Sequence, residues 1–169
     1  MKKIKLYNVI FPIWLLLFFP PVILITLSGN FIIDSLVILA CFKIFKLVDS
    51  QYNLKSYYKK SIIKVWLFGF LADFIGAIIL FVLGILGDSF GLAYELIYGI
   101  NYDPFSNLLA VFIILLAILV SGIFIFLFNY KITFRELIRD SNTRFKVALT
   151  IAIVTMPWTF LLPTKWFYY

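Results

Sequence analysis

Five apolar runs, separated by short polar segments, divide the chain. They cover residues 9–27, 31–48, 65–87, 108–128 and 147–163. A helix that crosses the ~30 Å hydrocarbon core of a bilayer needs roughly 17–25 apolar residues, and all five runs have this length. We find no repeat, linker or low-complexity tract. The pattern therefore predicts an all-α, polytopic membrane protein in which residues 1–169 form one bundle with five transmembrane helices.

Two local signals shape the first half of this prediction. The first run contains Pro20 and Pro21, and proline removes a backbone donor and clashes with the preceding turn. We therefore interpret this run as an uncleaved first helix that is kinked at the proline pair. The sequence Ser28-Gly29-Asn30 then predicts a tight turn into the second helix.

The polar segment 88–107 predicts a smaller element. Asp88 and Ser89 are suitable helix N-caps, and Gly99 is a suitable stop. We expect a short interfacial helix around residues 90–98, on the outer side of the membrane.

Composition excludes several classes of protein. Hydrophobic residues make up 64% of the chain and charged residues 14%, against roughly 45–50% and about 25% in soluble domains. A soluble fold of this size could not bury so much apolar surface. The absence of histidine and the single cysteine, Cys41, exclude His-dependent catalysis, disulfides and common metal sites. We expect no metal, no cofactor and no enzymatic activity of a known motif.

The basic residues indicate an orientation. With the N-terminus inside and the C-terminus outside, five spans place every basic residue except Lys165 on the inner side, as the positive-inside rule requires. If the short second span is omitted, Lys2, Lys3 and Lys5 move to the outer side with Lys165. We therefore favour five spans. The lysine-rich composition is typical of AT-rich bacterial genomes, so we expect the protein to lie in the cytoplasmic membrane of a bacterium.

The +7 net charge also predicts partners. Lys59, Lys60, Arg135 and Arg139 lie in the two inner segments, where they would bind anionic inner-leaflet lipids or a partner protein. No motif points to nucleic acid, and we expect none to bind.

Charges within apolar runs are the candidate functional residues. An Asp or Lys in mid-span costs roughly 2.5–3.5 kcal/mol on insertion scales. Asp73 is predicted about 12 Å from the inner boundary, at a depth similar to that of Lys43. Three interpretations remain open: an Asp73–Lys43 ion pair, a Lys43 that snorkels to the headgroups, and a role for Asp73 in an ion or proton pathway. Asp34 is predicted near the outer surface, in the opposite half of the membrane from Asp73, which argues against paired-carboxylate chemistry.

Small residues in the third run predict close helix packing. Gly69, Ala72 and Gly76 recur at helical spacing, as at contacts between membrane helices. They favour a tight bundle, and either a homo-oligomer or a larger membrane complex.

Three functions follow in order of preference. The first is a small transporter or channel, or a transporter subunit, for an ion or small solute. The second is a non-transporting accessory, regulatory or immunity protein that docks a larger complex. The third is an intramembrane enzyme acting on lipid, which would need Asp34 or Asp73 together with tyrosines such as Tyr94 or Tyr98.

Overall fold

The computed structural model describes residues 11–20, 22–47 and 53–167, and its regular structure is helical throughout that part of the chain. The α-helices are α1 (Ile13–Leu16), α2 (Val22–Ile44), α3 (Leu54–Gly84), α4 (Tyr94–Asn101), α5 (Leu108–Phe128) and α6 (Ser141–Thr155). A π-helical turn, Asn129–Thr133, prolongs α5. Short 3₁₀ segments cover Gly87–Phe90, Pro104–Ser106, Trp158–Leu161 and Thr164–Trp166.

Four helical segments in the described part of the chain are long and apolar enough to cross a membrane. They are Val22–Ile44, Leu54–Gly84, Leu108–Thr133 and Ser141–Leu161. The all-α architecture is therefore confirmed, whereas the five spans and the orientation that we predicted with them are not. The difference lies in the first two apolar runs, which contribute one long helix instead of two.

The predicted turn at residues 28–30 is wrong, because α2 runs through it without interruption. The Ser28 hydroxyl donates to the Leu24 carbonyl oxygen at 2.8 Å, so its polar group is satisfied within the helix. Glycine in a helix costs only about 1 kcal/mol, whereas each backbone group left without a partner in an apolar environment costs several. A continuous helix therefore has a lower free energy than a turn at residues 28–30.

Over the described residues, the first run is not one long helix kinked at the proline pair. The α1 helix has four residues, turns follow to Pro20, and α2 begins at Val22. Pro21, together with Lys2, Lys3 and Lys5, lies outside the described residues.

Helix starts are earlier than the apolar runs suggested. The predicted span at 65–87 begins at Leu54, where the Asn53 side chain accepts from the Ser56 N–H at 2.9 Å. The predicted span at 147–163 begins at Ser141, where Asp140 accepts from the Thr143 N–H at 2.7 Å. Capping side chains satisfy orphan N–H groups at these polar positions, so the helices extend beyond the apolar segments.

The short helix expected in the 88–107 segment is present but shifted, at Tyr94–Asn101. Gly99 lies inside this helix and does not stop it. A Cβ at Gly99 would meet Ala110 Cβ and, at 3.2 Å, Asn107 Cβ. The glycine therefore allows α4 to pack closely against the start of α5.

The bundle has two ends with different chemistry. We call "basic end" the one where α2 ends and α3 and α6 begin, and "α4 end" the opposite one. Helix α1 lies at the α4 end, since the Ile13 N–H donates to Thr164 Oγ1 at 2.9 Å and Trp14 Nε1 donates to the Ile100 carbonyl at 3.2 Å.

Each end has its own apolar core. The basic-end core includes Ile38, Phe42, Tyr57, Val65 and Phe134. The α4-end core includes Trp14, Leu80, Ile100, Ile114 and Phe160. The candidate site lies between these two cores.

Candidate functional site

Asp34 and Asp73 line the same cavity, which has a volume of about 180 Å³. Their exposed fractions are 3% and 8%, so both side chains are buried. The prediction that they occupy opposite halves of the membrane is therefore wrong. Because α2 begins at Val22, Asp34 lies about 18 Å along that helix, and Asp73 lies about 17 Å from Gly84 on the antiparallel α3.

Of the three interpretations of Asp73 and Lys43, the ion pair is not present in the described part of the chain. The Lys43 side chain is exposed, and Asp73 Oδ1 is buried without a hydrogen-bond partner. The salt bridge found among the described residues joins Lys165 to Asp103 at 2.6 Å, at the α4 end. Its hydrogen bond raises the pKa of Lys165. The two cavity carboxylates thus have no basic partner within the described part of the chain.

A break in α6 forms one wall of the cavity. The helix ends at Thr155, and Pro157, which has no N–H, follows. The Trp158 N–H donates to the Met156 carbonyl at 2.8 Å and not back into the helix. In the described chain, no backbone N–H donates to the carbonyl oxygens of Val154 or Thr155, and both residues line the cavity. Helix ends normally leave such carbonyls available for other partners.

A polar stripe on α2 leads to the carboxylates. Thr26, Asn30 and Asp34 are spaced four residues apart, so they lie on one face of the helix, and all three line the cavity. The next residue at this spacing, Ile38, is fully buried in the basic-end core. The stripe therefore runs from the α4 end to Asp34 and stops there.

Sequence reasoning did not identify the stripe of Thr26, Asn30 and Asp34, although the four-residue spacing is visible in the sequence. The predicted turn at 28–30 placed Thr26 and Asp34 on different helices, which hid the periodicity. The sequence also did not show that the end of α6 lines the cavity, because this depends on how the helix break before Pro157 packs against α2 and α3.

The three small residues of α3 occupy different surroundings. A Cβ at Gly69 would lie 3.8 Å from Asp34 Oδ2, so Gly69 faces the carboxylate across the cavity. Ala72 is fully buried. Gly76 packs against α5, where a Cβ would overlap Ser121 Oγ.

The predicted basic surface forms two separate clusters at the basic end. Lys59 and Lys60 line a depression with Lys55 at the start of α3. Arg135 lines a second depression with Lys131 and Arg144. Arg139 is exposed nearby.

The tyrosines required by a lipid-acting enzyme lie elsewhere. Tyr94 and Tyr98 are on α4, with ring centroids 6.3 Å apart, and neither lines the cavity of Asp34 and Asp73. The structure therefore does not assemble the constellation that this function would need.

Comparison of the chain with protein-family models, curated protein sequences and solved structures found no match.

Proposed function

We propose that this chain is a multi-pass membrane protein that transports a small hard cation, a proton or an alkali metal ion, through the cavity of Asp34 and Asp73. The observation that carries the proposal is the pair of buried carboxylates in one mid-bundle cavity, without a basic partner in the described chain.

The cost of these charges supports a functional role. One carboxylate at the centre of a bilayer costs roughly 2.5–3.5 kcal/mol on insertion scales, and acidic residues in spans usually mark ion or proton pathways. Two neighbouring carboxylates also repel each other. A bound cation offsets both the burial and the repulsion, because it supplies the positive charge that Lys43 does not provide.

The other oxygen atoms around the cavity are suitable ligands for a hard cation. Carboxylate, carbonyl and hydroxyl oxygens are the ligands preferred by such ions. Besides the two carboxylates, the cavity is lined by the carbonyl-bearing break at Val154 and Thr155 and by Thr26 and Asn30. Interrupted helices whose freed carbonyls coordinate ions are a recurring feature of transporters.

The polar stripe supports entry from the α4 end. Thr26 and Asn30 lead inward to Asp34, whereas Ile38 and Val65 close the side facing the basic end. With the basic end in the cytoplasm, as the positive-inside rule favours, the cation enters from outside. Release to the cytoplasm then requires separation of the basic-end core.

The test is cation flux into proteoliposomes that contain the purified protein. Separate arms impose a proton, sodium or potassium gradient, read with dyes for pH or for the metal ion. We expect flux for one of these cations, and loss of that flux in both Asp34→Asn and Asp73→Asn. Asp103→Asn is the matched control, because Asp103 is paired with Lys165 at the α4 end, and it should retain wild-type flux.

A binding measurement separates cation binding from transport. A ligand at 100 times its Kd stabilises the folded state by about 2.7 kcal/mol, so the transported metal ion should raise the Tm of the wild type and not of Asp73→Asn. If the wild type shows neither flux nor cation-dependent stabilisation, the transport proposal fails.

The two exposed basic clusters favour a second candidate, a non-transporting accessory protein that docks a larger complex. It predicts a stoichiometric partner that co-purifies with the wild type and is lost when Lys59 and Arg135 are both changed to Gln. Asp34→Asn would leave such a partner bound.

A further inference from the structure

We propose that an anionic phospholipid binds between α5 and α6 at the basic end, with its phosphate beside Lys131, Arg135 and Arg144 and one acyl chain in the apolar groove that continues from them. Lys131, Arg135 and Arg144 do not line the cavity of Asp34 and Asp73, and of the residues that line the groove only Met156 also lines that cavity.

The headgroup part is a depression of about 210 Å³ lined by Tyr130, Lys131, Arg135 and Arg144. Arg144 is held in place, because its Nη1 donates to the carbonyl oxygens of Arg135 at 3.4 Å and Ile138 at 3.3 Å. Its guanidinium carbon also lies 4.8 Å from the centre of the Tyr130 ring. A positioned guanidinium and two exposed cations suit a phosphate group, which arginine binds with directed hydrogen bonds.

The chain part is a groove of about 230 Å³ between α5 and α6. On α5 it is lined by Leu119, Gly122, Ile123 and Phe126, on α6 by Phe145, Leu149, Ala152 and Ile153, and just beyond α6 by Met156. Its walls are apolar side chains throughout. Gly122 deepens the groove, because a Cβ there would lie 3.2 Å from Met156 Sδ.

An aromatic cluster joins the two parts. Phe126 belongs to the groove and stacks on Tyr130 of the headgroup depression, with ring centroids 5.5 Å apart. Phe145, also in the groove, lies 5.3 Å from Phe126 and 6.3 Å from Tyr130. The depression and the groove therefore form one amphipathic surface. Its basic side chains lie at the end of the helices, and its apolar groove runs along them. This is the arrangement of a phospholipid's own polar and apolar parts.

The local charge is consistent with an anionic lipid. Glu136 and Asp140 are the acidic residues in the segment from 131 to 146, against five basic residues. The Asp140 carboxylate is engaged in capping α6 through the Thr143 N–H. Basic pockets between membrane helices on the cytoplasmic side are a known mode of binding anionic headgroups.

The experiment measures the lipid dependence of Tm for the full-length protein in mixed micelles. Dioleoylphosphatidylglycerol is titrated, and dioleoylphosphatidylcholine and inorganic phosphate are titrated in parallel. We expect phosphatidylglycerol to stabilise the wild type at lower concentration than the other two. The double variant Lys131→Gln/Arg135→Gln should weaken this apparent affinity about 30-fold, since each cation near the surface contributes about 1 kcal/mol.

Two matched controls make the result specific. Lys55→Gln/Lys59→Gln removes the same charge from the other basic depression and should leave the affinity unchanged. Ile123→Trp fills the groove and should weaken lipid binding, whereas Leu116→Trp, on a part of α5 outside the groove, should not. Both positions are exposed apolar sites, at 49% and 44%, so neither tryptophan needs space in a core.

Three outcomes would overturn the proposal. If Lys55→Gln/Lys59→Gln weakens the affinity for phosphatidylglycerol as much as Lys131→Gln/Arg135→Gln does, the lipid is attracted only by the general positive charge of the basic end. Equal stabilisation by inorganic phosphate would mean that a free anion is bound and not a lipid. Unchanged lipid affinity in Ile123→Trp would mean that no acyl chain lies in the groove.

If Lys131→Gln/Arg135→Gln does not purify as a folded protein, Arg135→Gln alone gives the same comparison with about a fivefold loss of affinity.

Discussion

Substitution of Gly76 by alanine should destabilise the protein, although alanine is the better helix former. A Cβ at this position would overlap Ser121 Oγ, lie 3.0 Å from the Ala117 carbonyl oxygen and lie 3.3 Å from Phe160 Cε2. The Ala117 oxygen is backbone, so α5 itself must shift to make room.

The expected magnitude combines two opposing terms. Overpacking costs about 1–3 kcal/mol, and contact with backbone favours the upper value. Removing a glycine from a helix returns about 1 kcal/mol. The net loss is therefore about 2 kcal/mol, which corresponds to a decrease in Tm of roughly 4–8 °C for a chain of this size.

Gly29→Ala is the matched control. Gly29 lies within α2, and a Cβ there would meet nothing within 4 Å. This variant should gain up to about 1 kcal/mol from helix propensity alone. Thermal unfolding of both variants in the same detergent measures the difference. If Gly76→Ala is as stable as Gly29→Ala, the close approach of α3 and α5 is not correct.

Two further predictions concern α6. Pro157→Ala supplies an N–H that can donate to the Ile153 carbonyl, so α6 should continue past Thr155. Tm should rise and stabilisation by the cation should fall, and an unchanged cation response would contradict a role for the break. Asp140→Ala removes the α6 cap and should lower Tm at neutral pH, whereas Asp140→Asn keeps an acceptor oxygen without the charge and should lower it less. Hydrogen bonds from Thr143 hold the pKa of Asp140 below its ordinary value of 3.8. The stabilisation by the charge is therefore present at neutral pH and disappears as the pH falls through that lowered pKa, where the Tm of the wild type should approach that of Asp140→Asn. A constant difference at all pH values would exclude the charged cap.

The wrong turn predicted at residues 28–30 also gave a wrong position for Asp34 in the candidate site. Asp34 and Asp73 were recognisable in the sequence because a charge within an apolar run is costly and rare. Their pairing was not recognisable, because depth along a helix depends on where that helix begins. The turn predicted at 28–30 moved the start of α2, and with it Asp34, by about 14 Å.

The same error affected Lys43 and the topology. With Asp34 assigned to the outer surface, Lys43 was the remaining partner for Asp73, yet its side chain is exposed. The arrangement with one span fewer was rejected because it places Lys2, Lys3 and Lys5 with Lys165. The structure has four candidate spans in its described residues, because the first two apolar runs share one helix.

The sequence by itself determined the class of the protein. Hydrophobicity and helical hydrogen bonding act over a few turns of the chain, so the apolar runs were sufficient to predict long helices suited to a membrane. Tertiary structure alone decided which faces meet. The Thr26–Asn30–Asp34 stripe, Asp73 and the break before Pro157 belong to three helices, and their common cavity exists because α2 remains continuous through Gly29 and packs beside α3 at Gly69. Such contacts depend on helix register and packing between distant segments, which no local pattern of residues specifies.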